Sequence, residues 1–318
     1  MAHRILVPEV VADCGLDLLR AQGYEIKKTN SLKKEDLIRD LQDCDGIILR
    51  VAKLDKDVLS ANPQLKVIGK HGVGVDSVDL DYCRENKIPV VYTPHANTLS
   101  VAEHAIALIM ACAKQINYKS ACYKNEDYAV KDRVLGNEIS GKTLGLIGFG
   151  NIGSKIANMA RLGFGMTVIA YDPFLPEGMR EDGVEITHNA EKVYSESDFV
   201  SLNIPATPAT IKSVGAEQFK WMKKTAFLIN TARGSVVDEQ ALIQALNDGE
   251  IAGAGLDVSD PEPARGDNPL HQMGNVIMTP HCAGVTHDSM NNMSKDVAKG
   301  IIEVLSGQKP TWYVVWPE

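Results

Sequence analysis

The 318-residue sequence has no uninterrupted apolar stretch approaching the ~18 residues that a membrane-crossing helix requires, so no membrane span is expected. It also lacks an excess of positive charge. Thirty-three Lys and Arg against 41 Asp and Glu leave a formal net charge of −8, which disfavours nucleic acid or an anionic membrane as the main partner. The six cysteines, at 14, 44, 83, 112, 122 and 282, include no C-x-x-C pair and are too sparse for a disulfide scaffold. The eight histidines offer no H-E-x-x-H or similar spacing; His95 and His104 lie nine apart on different elements, and no metal site is expected. The opening MAHRILVPEV has no basic segment followed by an apolar core of about 7–15 residues. No signal peptide is therefore expected, and a reducing cytoplasm is the expected compartment.

What is present is the composition of a globular protein, 44% apolar and 23% charged, at a length that suits two domains. Short apolar runs alternate with helical stretches. They include RILVPE (4–9), DGIILR (45–50), LKVIGK (65–70), PVVYTP (89–94), TLGLIGFG (143–150), MTVIAYD (166–172), DFVSLNIP (198–205), AFLINTA (226–232), IAGAGLDV (251–258) and NVIMTP (275–280). Near-continuous apolar strands between helices point to an α/β protein with parallel sheets covered on both faces. Two such blocks flank residues 100–140. Between them, SVAEHAIALIMACAKQI is apolar almost all round and predicts a helix buried on more than one side. Ser100 and Glu103 have the spacing of a capping box at its start.

The strongest local signal is TLGLIGFGNIGSKIANMARLG. Gly148, Gly150 and Gly153 form G-x-G-x-x-G after a strand and ahead of an amphipathic helix, with Ile152, Ile156, Met159, Ala160 and Leu162 on its apolar side. A second strand then ends on Asp172, 19 residues after Gly153. The first glycine permits the tight turn, the second lets backbone approach a pyrophosphate, and the third lets helix and strand pack closely. The helix start, at Asn151 and Ile152, supplies amides and a positive dipole end. Asp172 would accept hydrogen bonds from ribose hydroxyls and repel a 2′-phosphate, so NAD is expected over NADP. A looser loop, KHGVGVDSVDL (70–80), could hold a small anion on its backbone amides, and His71 within it could touch that ligand.

Ligands of open parallel sheets bind beyond the carboxyl ends of the strands. Arg233 follows AFLINTA, Glu262 lies between Pro261 and Pro263 after GLDVSD, and His281 follows NVIMTP. A hydroxy-acid oxidation needs such a set. The imidazole takes the hydroxyl proton, a carboxylate behind it orients it, and a guanidinium clamps the substrate carboxylate. Cys282 needs no reactivity to occupy its small-residue turn.

With these residues in view, the chain resembles the NAD-dependent D-isomer-specific 2-hydroxyacid dehydrogenases, phosphoglycerate-dehydrogenase-like branch. The motifs that carry the likeness are HGVGVDSVDL, ANTLSVAEHAIALI, GLIGFGNIG with Asp172, LNIPATPAT, LINTARGSVVDEQAL, GAGLDVSDPEP and NVIMTPHCAG. The resemblance implies substrate binding by Arg233, a His281–Glu262 pair with His281 as acid and base, and a substrate-anion role for Val73 and Gly74. It implies cofactor contacts for Pro205, Thr210, Thr231, Ala232 and Asp257. Arg50 matches a position that helps bind anionic substrates, which suits a phosphorylated or otherwise dianionic acid such as 3-phosphoglycerate. The implied fold is a Rossmann NAD domain (99–286) inserted in a flavodoxin-like substrate domain (1–98 plus 287–318), with homodimers formed across the NAD domains. Cys282 and Ser259 depart from the residues usual there. The chain ends at Glu318, so the C-terminal regulatory extension of some phosphoglycerate dehydrogenases is not expected. Two other functions on this fold are an NAD(H)-sensing corepressor-like protein and a phosphite dehydrogenase.

Overall fold

The structure, a computed structural model, describes residues 2–29 and 31–317. Its strands are β1 (Arg4–Val7), β2 (Glu25–Lys28), β3 (Gly46–Leu49), β4 (Val67–Lys70), β5 (Val90–Val91), β6 (Thr143–Ile147), β7 (Thr167–Tyr171), β8 (Gly178–Met179), β9 (Glu185–Thr187), β10 (Phe199–Leu202), β11 (Phe227–Asn230), β12 (Gly253–Leu256), β13 (Val276–Met278) and β14 (Tyr313–Val315). The chain divides into two compact units, Met1–Thr98 with Gly284–Glu318, and Leu99–Ala283.

In the first unit the sheet order is β14-β5-β4-β3-β1-β2, parallel except for the antiparallel edge pair β14–β5. Read from β2, this is the flavodoxin-like order with an added edge strand. Strands β3 and β4 are buried throughout, as continuous apolar runs under two helical layers should be. One layer is built by the long helix His287–Leu305, whose Val297, Ala298 and Ile301 join Leu16 and Leu19 of the helix Asp13–Ala21 in one core. The two helices approach so closely that a Cβ on Gly15 would stand 2.1 Å from the Ser294 carbonyl oxygen. Ser294 in turn donates its hydroxyl hydrogen to the Ala12 carbonyl at 2.6 Å.

In the second unit the order is β13-β12-β11-β10-β6-β7-β9-β8, parallel except for β8–β9. From β9 inward this is the doubly wound dinucleotide order, with the chain reversing its direction of travel beside β6. One face is covered by the helices Thr98–Lys114 and Asn151–Asn158 through Ala105, Ile109, Cys112 and Ile156. Phe219, Leu242 and Leu246 cover the other.

Three expectations change. The central helix begins at Thr98, not Ser100. The Thr98 amide already bonds back to His95, so Ser100 lies buried inside the first turn and not ahead of it. Leu162 is 80% exposed rather than on the apolar face. The helix widens into a π-turn over Met159–Gly163, and the extra residue per turn rotates Leu162 outward. The second crossing between units falls between Ala283 and Gly284, three residues before the expected boundary. Thr286 caps the helix His287–Leu305 by accepting from the Ser289 amide, and the Ser289 hydroxyl donates to Gly284, so residues 284–286 belong with that helix.

Among the described residues no single helix is long and apolar enough to cross a membrane. The pair Thr98–Lys114 and Ile116–Lys124 reaches that length only across a 60° bend, and its first member lies in the core of the second unit.

Gly15→Ala forces the helices Asp13–Ala21 and His287–Leu305 apart. A loss of about 1–3 kcal/mol is expected, read as a lower urea midpoint at unchanged slope.

Candidate active site

Register decides which residues meet. Ile147 pairs with Tyr171 and Leu202, Leu202 with Asn230, Asn230 with Leu256, and Leu256 with Met278. The carboxyl ends of β6, β7, β10, β11, β12 and β13 therefore stop level. The glycine loop, Asp172, Pro205, Thr231, Arg233 and His281 all leave the sheet along one edge.

The glycine loop divides its labour. Gly148 has φ +96° and no room for a Cβ beside the Asn203 carbonyl at 2.7 Å, and Gly153 would meet the Gly148 carbonyl at 2.4 Å. Gly150 is different: a Cβ there would meet nothing within 4 Å. The protein's own packing does not require that glycine, whereas a bound pyrophosphate would. Asn151 and Ile152 open the following helix, whose cap residue Gly150 offers no side-chain hydrogen bond to the first-turn amides. Asp172 is fixed at the end of β7 by the Phe149 amide on one oxygen and the Phe174 amide on the other, both at 3.0 Å. Thr231 is buried with its hydroxyl unpaired among the described residues. The glycines, the acid and an orphaned hydroxyl on the same edge fit a dinucleotide. Thr210 uses its hydroxyl to close its own turn onto the Pro205 carbonyl at 2.5 Å. Ala232 donates its amide to Asn230 Oδ1 at 3.0 Å.

On the far strands, His281 Nδ1 and Glu262 Oε2 stand 2.9 Å apart, both part-exposed. His281 lies three residues beyond β13 in the left-handed region, at φ +50°. Its amide holds it there, donating to the Asp257 and Thr279 carbonyls at 2.7 and 3.0 Å. Asp257, expected at the cofactor, is 1% exposed and is occupied by the His281 loop. Its Oδ1 accepts from the Cys282 amide at 2.9 Å and the Thr279 hydroxyl at 2.5 Å, and its Oδ2 from the Ala283 amide at 2.8 Å. Burial, and then the Asp257 charge, push the Cys282 thiol above its ordinary range, which suits a bystander and not a thiolate nucleophile. Arg233 sits three residues beyond β11, on a turn braced by buried Asn230, whose Nδ2 donates to the Arg233 carbonyl at 2.9 Å. That turn packs directly on the Glu262 loop: a Cβ on Gly234 would stand 2.1 Å from the Ser259 carbonyl.

In the first unit, Arg50 follows β3 on a turn held by one carboxylate. Glu9 accepts the Arg50, Val51 and Ala52 amides at 2.6, 2.9 and 3.1 Å. Lys70 Nζ donates to the Arg50 carbonyl. Gly72 is pinned to Thr93, and among the described residues no intramolecular bond engages the Val73 or Gly74 amide. His71 is 4% exposed, and among the described residues neither ring nitrogen meets a partner in hydrogen-bond geometry. Its ring lies in the interior instead of on the loop's surface. Burial, with a smaller contribution from the Arg50 charge, lowers its pKa to about 4.

Sequence reading missed Asn230, Thr279, Glu9 and His104, all of which brace other residues. Polar residues of this kind are common beside strand ends, and only their partners mark them out. For Asn230 the N-T-A-R-G string was a usable signal.

A doubly wound dinucleotide sheet carrying an imidazole–carboxylate pair along its carboxyl edge has the build of a nucleotide-dependent dehydrogenase. Residues 106–283 match the family model of the D-isomer specific 2-hydroxyacid dehydrogenase, NAD binding domain. The chain is 39% identical to D-3-phosphoglycerate dehydrogenase of Methanocaldococcus jannaschii over 96% of its own length, but spans only 58% of that relative. It is 36% identical to a glyoxylate reductase of Korarchaeum cryptofilum, covering 98% of this chain and 95% of that one. The solved structure of D-lactate dehydrogenase from Aquifex aeolicus with NAD and lactic acid superposes with a TM-score of 0.87 at 31% identity, covering 99% of this chain and all of that one. The chain belongs to the D-isomer specific 2-hydroxyacid dehydrogenase family.

His71 gives the first unit a pH signature. Its folded pKa of about 4 lies below the ordinary 6.5, so the unfolded chain takes up the proton first. Stability is therefore full above pH 6.5 and falls as pH drops from 6.5 towards 4, by up to about 3 kcal/mol. Unfolding free energies measured across that window should show a slope that His71→Leu flattens; equal slopes would refute it.

Proposed function

We propose that the chain transfers hydride between NAD(H) and C2 of a small anionic 2-hydroxy or 2-keto acid. The observation that carries this reading is the His281–Glu262 pair at 2.9 Å, on the same sheet edge as a glycine loop that leaves Gly150 open. When bound, the nicotinamide supplies the hydride or accepts it. His281 supplies the proton step. With Nδ1 turned to Glu262, its Nε2 is left for substrate, taking the hydroxyl proton in oxidation and returning it to the carbonyl oxygen in reduction. Glu262 holds the ring orientation and balances the charge that arises when His281 is protonated. Arg233 clamps the substrate carboxylate and stabilises charge developing on the carbonyl oxygen. Asp172, an acid followed by Pro173 and Phe174, favours NAD over NADP.

The substrate reading rests on Arg50 and the Val73–Gly74 amides. A guanidinium together with free backbone donors suits a second anionic group, as in 3-phosphoglycerate, which the Methanocaldococcus relative is named for. The relative named for glyoxylate marks the other end of the range. A homodimer through the second unit is part of the proposal. Ile116, Tyr118, Tyr123, Tyr128 and Leu135 are exposed on and after the helix Ile116–Lys124, an apolar surface that a second copy would cover.

The test is NADH oxidation with phosphohydroxypyruvate, hydroxypyruvate, glyoxylate, pyruvate, sulfopyruvate and branched 2-keto acids. Preference for a dianion supports Arg50 as a ligand, and no oxidation with any acid points to a nucleotide-sensing protein. His281→Asn should lower kcat by about 10²–10⁴-fold with NADH binding kept; near-normal turnover would remove His281 from its role. Light scattering should give twice the chain mass, and Tyr123→Glu with Tyr128→Glu should return the monomer.

A further inference from the structure

Beneath the His281 loop, three residues far apart in sequence meet. His104 on the helix Thr98–Lys114, Asp257 just past β12 and Cys282 offer one nitrogen, one oxygen and one sulfur within 4.8 Å of one another. His104 Nε2 lies 3.5 Å from Asp257 Oδ1, and Cys282 Sγ lies 3.6 Å from the same oxygen. A tetrahedral zinc ion, with bonds of about 2.0–2.2 Å to nitrogen and oxygen and about 2.3 Å to sulfur, sets neighbouring ligands about 3.4 Å apart for N–O and about 3.6 Å for S–O. Two of the three edges therefore match a zinc shell, and the third, from His104 Nε2 to Cys282 Sγ, is within 4.8 Å.

We propose that His104, Asp257 and Cys282 form a site for a borderline-soft divalent cation, zinc the best fit, with water as the fourth ligand. Imidazole, carboxylate and thiolate together select such an ion over the hard cations magnesium and calcium, which favour all-oxygen shells. Binding is balanced by one proton. The Cys282 thiol gives it up as the S–metal bond forms; the His104 ring proton, on Nε2 in the metal-free protein where it faces the Thr279 oxygen, moves to Nδ1 and frees the Nε2 lone pair. In the metal-free protein the Thr279 hydroxyl bridges the cluster, 3.0 Å from His104 Nε2 and 2.5 Å from Asp257 Oδ1. A cation takes its place. The approach is from the half-buried His104 and Cys282, with Asp257 forming the floor.

The site lies one residue from His281, and its floor is the carboxylate that holds the Cys282 and Ala283 amides. A cation on Asp257 Oδ1 competes with the Cys282 amide and the Thr279 hydroxyl for that oxygen, and so loosens the frame of His281. Zinc should therefore inhibit turnover. This consequence rests on the proposed dehydrogenase function, whereas the metal site itself does not.

The experiment is a titration of the chelator-treated full-length chain with Co²⁺, a visible stand-in for zinc. A thiolate-to-cobalt charge-transfer band with tetrahedral d–d bands should saturate at one cation per chain and collapse when Zn²⁺ is added. Cys282→Ala should abolish the band, and Cys122→Ala, which alters another part-exposed cysteine, should keep it. His104→Gln should weaken binding by more than the roughly 10–100-fold that loss of an outer-shell partner costs. It also serves as the working variant if Cys282→Ala does not fold by circular dichroism. No thiolate band, or a band that survives both substitutions, would overturn the site. Zn²⁺ inhibition of NADH oxidation, compared with and without the ion in wild type and His104→Gln, tests the coupling. A Co²⁺ band in a chain that oxidises no NADH defeats the dehydrogenase reading and leaves the site standing. Turnover without a band does the reverse.

Discussion

A carboxylate buried to 1% exposure cannot be left without partners, because desolvating a charge that nothing compensates costs several kcal/mol. Asp257 meets that demand with the loop that follows β13. It accepts the Cys282 and Ala283 amides and the Thr279 hydroxyl, and its backbone carbonyl accepts the amide of His281. The requirement works in both directions. The buried charge is tolerated because the loop wraps it, and the loop keeps a left-handed histidine because the charge holds both sides of it. His281 is then presented to Glu262 at 2.9 Å as a consequence of satisfying Asp257.

That arrangement depends in turn on the parallel register of the second sheet. Asn230, Leu256 and Met278 are paired neighbours, so Arg233, Glu262 and His281 depart from strands that stop at one level. The same edge carries the glycine loop after β6 and Asp172 after β7. Hydrogen-bonded register thus brings the glycine loop and the His281–Glu262 pair to one rim from residues more than a hundred positions apart. In the first unit a comparable economy operates through Glu9, whose single carboxylate organises three amides of the Arg50 turn.

Much of the candidate site was legible because it is written in short strings. A glycine loop needs strand, turn and helix in sequence, and Arg233, Glu262 and His281 each follow an apolar run that could be recognised as a strand. Legibility failed where an outcome depended on a neighbour. Leu162 has a periodicity that suits the core, but a π-turn sets it outside. Ser100 and Glu103 have cap spacing, but the Thr98 amide finds His95 first and starts the helix earlier. His71 belongs to a loop that reads as a ligand contact, yet its ring is drawn into the interior. The cluster of His104, Asp257 and Cys282 has no sequence spacing to read, because its members come from a helix, a strand end and a loop.

The sequence by itself determined the class of fold, the dinucleotide cradle and the identity of the three groups past the last strands. These follow from local hydrophobic pattern and from the backbone freedom of glycine, which act over a few residues. Tertiary structure alone decided which of those groups touch, which amides and hydroxyl Asp257 accepts from, and that His104, Asp257 and Cys282 share one corner. These are matters of register and burial. A carboxylate's partners are set by which chain segments the sheet brings past it, and the energy that selects them exists only once water has been excluded.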